Sequence, residues 1–74
     1  MSETITASVA AEVRAELGRQ RISQRQVGDA IGMSQAAAWR RLRGDVPFDI
    51  AELSAVAEFL GVPVTQFLPA STAA

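Results

Sequence analysis

Residues 22–44 read ISQRQVGDAIGMSQAAAWRRLRG and contain the clearest helix boundaries of the chain. Ser23 and Gln26 have the spacing of a capping box, in which the hydroxyl accepts from the amide at position 26 while the Gln side chain reaches back. Gly32 predicts the end of this helix at Ile31, because glycine readily adopts the left-handed conformation of a helix terminus. The pattern therefore predicts a short helix with both ends marked.

A second short helix is predicted after a three-residue turn that ends at Ser34. Ser34 is a favoured N-cap residue and Gly44 a favoured stop, so we expect this helix over Gln35–Arg43. A turn this tight makes the two helices cross steeply, and they pack closely only where the facing residues are small. Gly28 and Ala38 meet that requirement, and the unit is predicted to be a helix-turn-helix.

The rest of the chain predicts three more helices around one core, without any convincing strand. Apolar residues at i, i+4 spacing predict the first helix over Thr6–Gln20. Asp49 and Glu52 form another capping box before the fourth helix, which Gly61 ends. A short fifth helix is expected over Pro63–Leu68. We therefore expect an all-α, compact five-helix domain in which helices two and three form the helix-turn-helix.

Length and composition exclude several classes of function. Seventy-four residues make one small domain, which buries too little surface for a deep catalytic cleft. We assign the domain to residues 1–69 and expect a frayed tail at 70–74. Cysteine and histidine are absent, which excludes disulfides, the usual zinc ligands and the commonest general base. We expect no enzymatic activity, no metal and no cofactor.

The predicted location is the cytoplasm. No apolar run approaches the roughly 18 residues that read as a membrane-spanning helix. The acidic first residues, Met1-Ser2-Glu3-Thr4, are unlike the basic start of a secretory signal.

The charges are segregated along the chain although the net charge is only −1. All seven basic residues are arginines, and all lie between Arg14 and Arg43. That segment contains only two acids, Glu16 and Asp29, so its net charge is +5. Both flanking segments are acidic. A basic segment of this kind favours a polyanionic partner in spite of the acidic total.

The predicted third helix has two chemically different faces. Ala38 and Leu42 lie one turn apart on one side, and the opposite side carries Ala36, Arg40 and Arg43. An apolar inner face and a basic outer face are what a helix in the major groove of DNA requires. The sequence therefore predicts double-stranded DNA as the partner.

At this point the chain resembles a known family, the lambda-repressor-like (Xre-type) helix-turn-helix regulators of bacteria and phages. The resemblance covers about Val9 to Leu68. The residues that carry it are Ile22-Ser23-Gln24, Val27, Ile31-Gly32, Ser34-Gln35, Arg43-Gly44 and Leu60-Gly61-Val62. The Arg-rich, Lys-free composition is similar to that of members from high-GC bacteria and their phages.

Three departures from the family pattern affect the interior. Ala38 stands where a β-branched residue is usual, and Arg41 stands where an apolar residue is usual, so Leu42 takes the inward role. Many members also pair an Arg with a Glu at the positions of Leu17 and Leu42. Replacing both partners of a buried ion pair with apolar residues is often neutral or stabilising. We therefore expect Leu17 to pack against Leu42.

The resemblance also implies which side chains contact DNA. The residues implied to read bases are Gln35, Ala36, Trp39 and Arg40. The residues implied to hold phosphates are Gln24, Arg25, Ser34 and Arg43. Glutamine suits adenine and arginine suits guanine, because each can form two hydrogen bonds with the base edge.

Two aromatic positions leave alternatives open. Trp39 lies at the margin of the third helix, and it is interpreted either as partly packed against the protein or as a DNA contact. Phe59 is interpreted either as ordinary core or as part of a weak homodimer surface with Val64 and Phe67.

The function that these features imply is a sequence-specific transcription regulator, a repressor of phage, prophage or plasmid type. The alternative is an antitoxin or protein-interaction module on the same helix-turn-helix fold, which the acidic C-terminal half supports and which would add a protein partner.

Overall fold

The computed structural model describes residues 2–69 of the chain, and their side chains from residue 5 onward. These residues form four α-helices followed by one turn of 3-10 helix, and the described range contains no strand. The helices are α1 (Ser2–Gln20), α2 (Gln24–Ala30), α3 (Gln35–Leu42) and α4 (Ile50–Leu60), and the 3-10 helix spans Val64–Phe67. The predicted tail at 70–74 lies outside the described residues.

The prediction of five α-helices is wrong in its last element. The segment between Pro63 and Pro69 is short, and Pro69 has no amide with which a helix could continue beyond Leu68. The amide of Gln66 instead donates to the carbonyl of Pro63 at 3.0 Å, and the amide of Leu68 donates to that of Thr65 at 3.1 Å. Both bonds join residues three apart, which is the pattern of a 3-10 helix.

The helix ends depart from the predicted ones by small amounts, except at the beginning of the chain. The first helix begins at Ser2 rather than at the predicted Thr6. Helices α2 and α3 each end one residue early, since Ile31 and Arg43 are their C-cap residues. Boundaries of this kind fray, and differences of one or two residues are expected.

The predicted caps are present. The hydroxyl of Ser23 accepts from the amide of Gln26 at 3.1 Å, and the side-chain oxygen of Gln26 accepts from the Ser23 amide at 2.8 Å. Asp49 and Glu52 form the same reciprocal pair at the start of α4. Each box satisfies amides that would otherwise be unpaired at a helix N-terminus. The two boxes therefore mark where α2 and α4 begin.

One hydrophobic core joins all five elements. Its buried members are Val9, Val13, Leu17, Val27, Leu42, Leu53, Val56, Ala57, Leu60 and Phe67. Leu17 and Leu42 are both buried members of this cluster, and direct contact between them stays a prediction. Within residues 2–69, no helix has the length and apolar character needed to cross a membrane.

The crossing of α2 and α3 depends on small residues, as predicted. A Cβ atom added to Gly28 would lie 3.4 Å from the Cβ of Ala38 and 3.4 Å from the carbonyl oxygen of Met33. There is thus room for little more than one methyl group where the helices meet. Ala38 is buried, and its small size allows this approach, so the family's bulkier residue is not needed there.

Candidate nucleic-acid interface

Helix α3 presents one face to the core and the other to solvent. Ser34 caps its N-terminus, since the hydroxyl accepts from the amide of Ala37 at 3.1 Å. Ala38 and Leu42 are buried beneath the helix. Gln35, Ala36 and Arg40 are exposed on it. Three of the four residues predicted to read bases are therefore accessible to solvent.

Two arginines tie α3 to its neighbouring helices. The guanidinium of Arg14 on α1 donates to the carbonyl oxygen of Leu42, the last residue of α3. Arg41 donates to the carbonyl of Ala37 at 3.0 Å and to the carboxylate of Glu52 on α4 at 2.9 Å. Cations at a helix C-terminus are favoured by its dipole. Helix α3 is thus held from both sides by charged contacts as well as by its apolar face.

The partner of Arg41 shows the electrostatic effect of this contact. The hydrogen bond from Arg41 lowers the pKa of Glu52 below its ordinary value, and the backbone amide of Asp49 adds to the effect. Both side chains are only about one fifth exposed. Arg41 therefore acts in packing α3 against α4, where the family pattern has an apolar residue.

Trp39 packs against a charged side chain rather than into the core. Its indole is 50% exposed, and the guanidinium carbon of Arg43 lies 4.5 Å from the ring centroid. Arg43 also approaches Asp45, with 3.4 Å between Nε and Oδ2. One ring face is therefore covered by Arg43 while much of the side chain stays open to solvent, and the contact of Trp39 with DNA stays a prediction.

The predicted phosphate contacts outside α3 lie at the start of α2. Gln24 is the first residue of that helix, Arg25 follows it, and both are exposed. The Ser34 oxygen is engaged in capping, which leaves its hydroxyl proton free to be donated. The structure therefore leaves all three residues available for contact, and their role stays a prediction.

Ion pairing divides the seven arginines into two groups. Arg19, Arg41 and Arg43 each approach a carboxylate, namely Glu16, Glu52 and Asp45. Among the described residues, the guanidinium groups without an acidic partner belong to Arg14, Arg21, Arg25 and Arg40. The usable positive charge is therefore smaller than the sequence segment suggests.

The sequence predicted neither the contact of Arg14 with the end of α3 nor the turn at Arg21. Arg21 adopts a φ of +57° and directly follows α1, where the amide of Ile22 donates to the carbonyl of Leu17 at 2.9 Å. A glycine is the usual residue at such a helix end, so the signal for this turn is absent from the sequence. Arg14 has no local signal either, since the carbonyl it contacts is 28 residues away.

The predicted homodimer surface is wrong in one of its three residues. Phe67 is fully buried, because the 3-10 helix turns its ring inward against the core. Val64 is half-buried against the same core, and Phe59 is 41% exposed. A homodimer through Phe59 and Val64 stays a prediction.

The exposed apolar residues lie mainly elsewhere, around a shallow groove that sequence reasoning did not predict. Ile5, Phe48, Ile50 and Leu68 are among the residues that line it. Ile50 is 81% exposed although it occupies the first turn of α4. The groove therefore marks an apolar surface bounded by α1, the start of α4 and the chain after the 3-10 helix.

Solved structures similar to this chain include two DNA-binding domains. The crystal structure of the DNA-binding domain of BldD has 28% sequence identity and a TM-score of 0.79, over 93% of this chain and 100% of that one. The S. venezulae BldD DNA-binding domain has 26% identity and a TM-score of 0.75, over 89% of this chain and 99% of that one. No curated protein sequence matches the chain.

The family comparison extends over nearly the whole sequence. The BetR domain matches residues 4–74. This range includes α2, α3 and every residue of the candidate surface. The chain belongs to the BetR domain family.

Proposed function

We propose that this chain is a sequence-specific DNA-binding regulator that reads the major groove with α3. The observation that carries the proposal is the two-sided character of α3. Ala38 and Leu42 anchor its inner face, while Arg40 is exposed on the opposite face and Gln35 is exposed at its N-terminal end. Arg40 has no acidic partner among the described residues. The similarity to DNA-binding domains over most of the chain supports the same function.

The proposal assigns different tasks to the two groups of residues. Gln35, Ala36, Trp39 and Arg40 read base edges. Gln24, Arg25, Ser34 and Arg43 hold phosphates, because phosphate contacts fix the register of a protein on DNA while base contacts specify the sequence. Repression is the simpler output, since occupying a site requires no contact with a further protein. We also propose the lambda-repressor-like type, a non-enzymatic role and a cytoplasmic location.

Selection of bound duplexes from random DNA tests the proposal, followed by titration against the selected site and its single-base variants. Arg40→Ala is expected to cost about 1–3 kcal/mol on the selected site and to relax preference at one base pair. Arg40→Lys is the matched control. It keeps the charge but loses the two-pronged geometry that guanine needs, so it should also lose preference. A phosphate clamp would tolerate lysine, and that result would contradict the assignment of Arg40.

Gln24→Ala is expected to behave differently in the same titration. A phosphate contact carries no sequence information, so selected and mismatched sites should weaken alike. The salt dependence should stay nearly unchanged, because glutamine is neutral and releases no counterion by charge. Cooperative binding of two copies to a duplex with two half-sites would support the homodimer through Phe59 and Val64.

The protein-interaction module is the second candidate function, and the apolar groove beside Ile50 favours it. An exposed apolar surface of this kind can mark a protein contact. The selection experiment separates the two candidates. If the wild-type chain has no preference for any sequence, the regulator proposal falls and the interaction module takes its place.

A further inference from the structure

Arg43 lies between two groups that both attract a guanidinium. Its guanidinium carbon is 4.5 Å from the centroid of the Trp39 ring, within the range of a cation–π contact. Its Nε is 3.4 Å from Oδ2 of Asp45. We call these three residues the Arg43 cluster. It stands at the C-terminal end of α3, next to the surface that the proposed function assigns to DNA.

Backbone hydrogen bonds hold the main chain that carries the Arg43 cluster. The amide of Asp45 donates to the carbonyl of Arg40 at 3.0 Å, and the amide of Arg43 donates to that of Trp39 at 2.9 Å. Gly44, which lies between Arg43 and Asp45 in the chain, has a φ of +85°. Its backbone lies so close to α1 that an added Cβ would be 3.4 Å from the Cα of Ala7. The main chain of Asp45 is therefore held close to Arg43 by a turn that has little freedom to move.

The position of Asp45 has a consequence for binding to a polyanion. We propose that Asp45 is an affinity-determining residue that competes with DNA phosphate for Arg43. In the free protein the carboxylate lies beside Nε of the guanidinium, and Trp39 covers one face of the group. A phosphate must share or displace this carboxylate, so part of the attraction to DNA is offset. The inference rests on the proposed function, because it requires that Arg43 approach the backbone of DNA.

The exposure of the pair limits the size of the effect. The side chains of Arg43 and Asp45 are 51% and 53% exposed, and an ion pair so accessible to water is weak. Removing the competition through Asp45→Asn is expected to tighten DNA binding about two- to fivefold. It should also steepen the dependence of affinity on salt, since Arg43 is then free to displace a counterion.

A double-mutant cycle tests the competition directly. The affinities of wild type, Asp45→Asn, Arg43→Ala and the double variant are measured for one random-sequence duplex at two salt concentrations. Competition predicts that Asp45→Asn tightens binding only when Arg43 is present. Plain repulsion between Asp45 and DNA predicts an equal gain in both backgrounds, and that outcome would overturn the inference. No gain from Asp45→Asn in the wild-type background would overturn it as well.

Two controls separate the inference from its premises. Glu58→Gln removes the same charge from an exposed position on α4, and it should change affinity far less than Asp45→Asn. Trp39 is the single tryptophan of the chain, so its fluorescence should change in Arg43→Ala if the stacking exists in solution. Failure of wild type and Asp45→Asn to bind any duplex would overturn the proposed function and the competition together. DNA binding without coupling between Asp45 and Arg43 in the double-mutant cycle would overturn only the proposed competition.

Discussion

The carboxylate of Glu16 is enclosed by donors from three other residues. Nε of Arg19 donates to it at 2.9 Å, Nε2 of Gln20 at 2.7 Å and Nε2 of Gln66 at 2.7 Å. The bond from Gln20 is the largest of the effects that lower the pKa of Glu16, followed by the bond from Arg19, and burial opposes them. Gln20 also donates to the carbonyl of Leu60 at 2.8 Å. One carboxylate thus links α1 to the 3-10 helix and the end of α4.

Acid is expected to weaken this link. The pKa of Glu16 is lower in the folded chain than in the unfolded one, so the carboxylate stabilises the fold at pH values above its ordinary pKa of about 4.5. This contribution is lost as the pH falls through the lowered pKa. Glu16→Gln should lower the melting midpoint at neutral pH. On transfer to about pH 3 the midpoint of this variant should fall less than that of the wild type. Thermal melts at both pH values measure this.

Glu12→Gln is the matched control for the acid experiment, since Glu12 is exposed on the same helix and makes no hydrogen bond among the described side chains. It should follow the wild-type acid response. Equal acid responses of Glu16→Gln and wild type would contradict the role of Glu16. Glu52, whose pKa is also lowered, is unchanged in both variants and adds to the acid sensitivity that remains.

Contacts of this kind could not be predicted from the sequence. Gln66 is 50 residues from Glu16, and Leu42 is 28 residues from Arg14. No local sequence pattern predicts either contact, because each depends on how the helices pack. The capping of α2 by Ser23 could be predicted, since its partner is three residues away and the geometry is set by the backbone.

The first turn of α2 depends on its cap. Ser23→Ala removes the acceptor of the Gln26 amide and is expected to destabilise the domain by about 1 kcal/mol. The total stability of so small a domain is only about 3–5 kcal/mol, so the loss should be evident in a denaturant melt. Ser54→Ala is the control, since Ser54 is exposed within α4. Alanine favours a helix interior, and this variant should be neutral or slightly stabilising. Equal midpoints for wild type and Ser23→Ala would contradict the cap.

Local signals at the helix ends explain which elements were predicted well. Helices α2, α3 and α4 have a capping residue at the start and a glycine shortly after the end, so their existence follows from local chemistry. The 3-10 helix at Val64–Phe67 has no side-chain cap, and the two flanking prolines led to the prediction of a fifth helix over Pro63–Leu68 without indicating its 3-10 form. The inward position of Phe67 required knowledge of the packing, and the homodimer prediction was wrong about this residue for that reason.

The positive charge that this molecule leaves unpaired is not evident from its net charge of −1. Arg25 and Arg40 belong to the side formed by α2 and α3, and neither has an acidic partner among the described residues. Arg19 is paired with Glu16, whose other contacts lead to the 3-10 helix. The candidate surface was predicted from the segregation of arginines along the sequence. The ion pairs in the structure were needed to show which of these arginines are neutralised by a carboxylate.

Salt dependence should therefore follow the arginines that face DNA rather than the total charge. Each phosphate neutralised contributes about −0.9 to the slope of log affinity against log salt concentration. Arg25→Gln is expected to make this slope shallower by about 1, because it removes one such contact. Arg19→Gln removes the same charge from the paired site and should leave the slope nearly unchanged. Titrations of both variants against one duplex across a series of salt concentrations measure the difference. Equal shallowing in both variants would mean that DNA senses the overall charge of the protein, and the phosphate contact assigned to Arg25 would then be wrong.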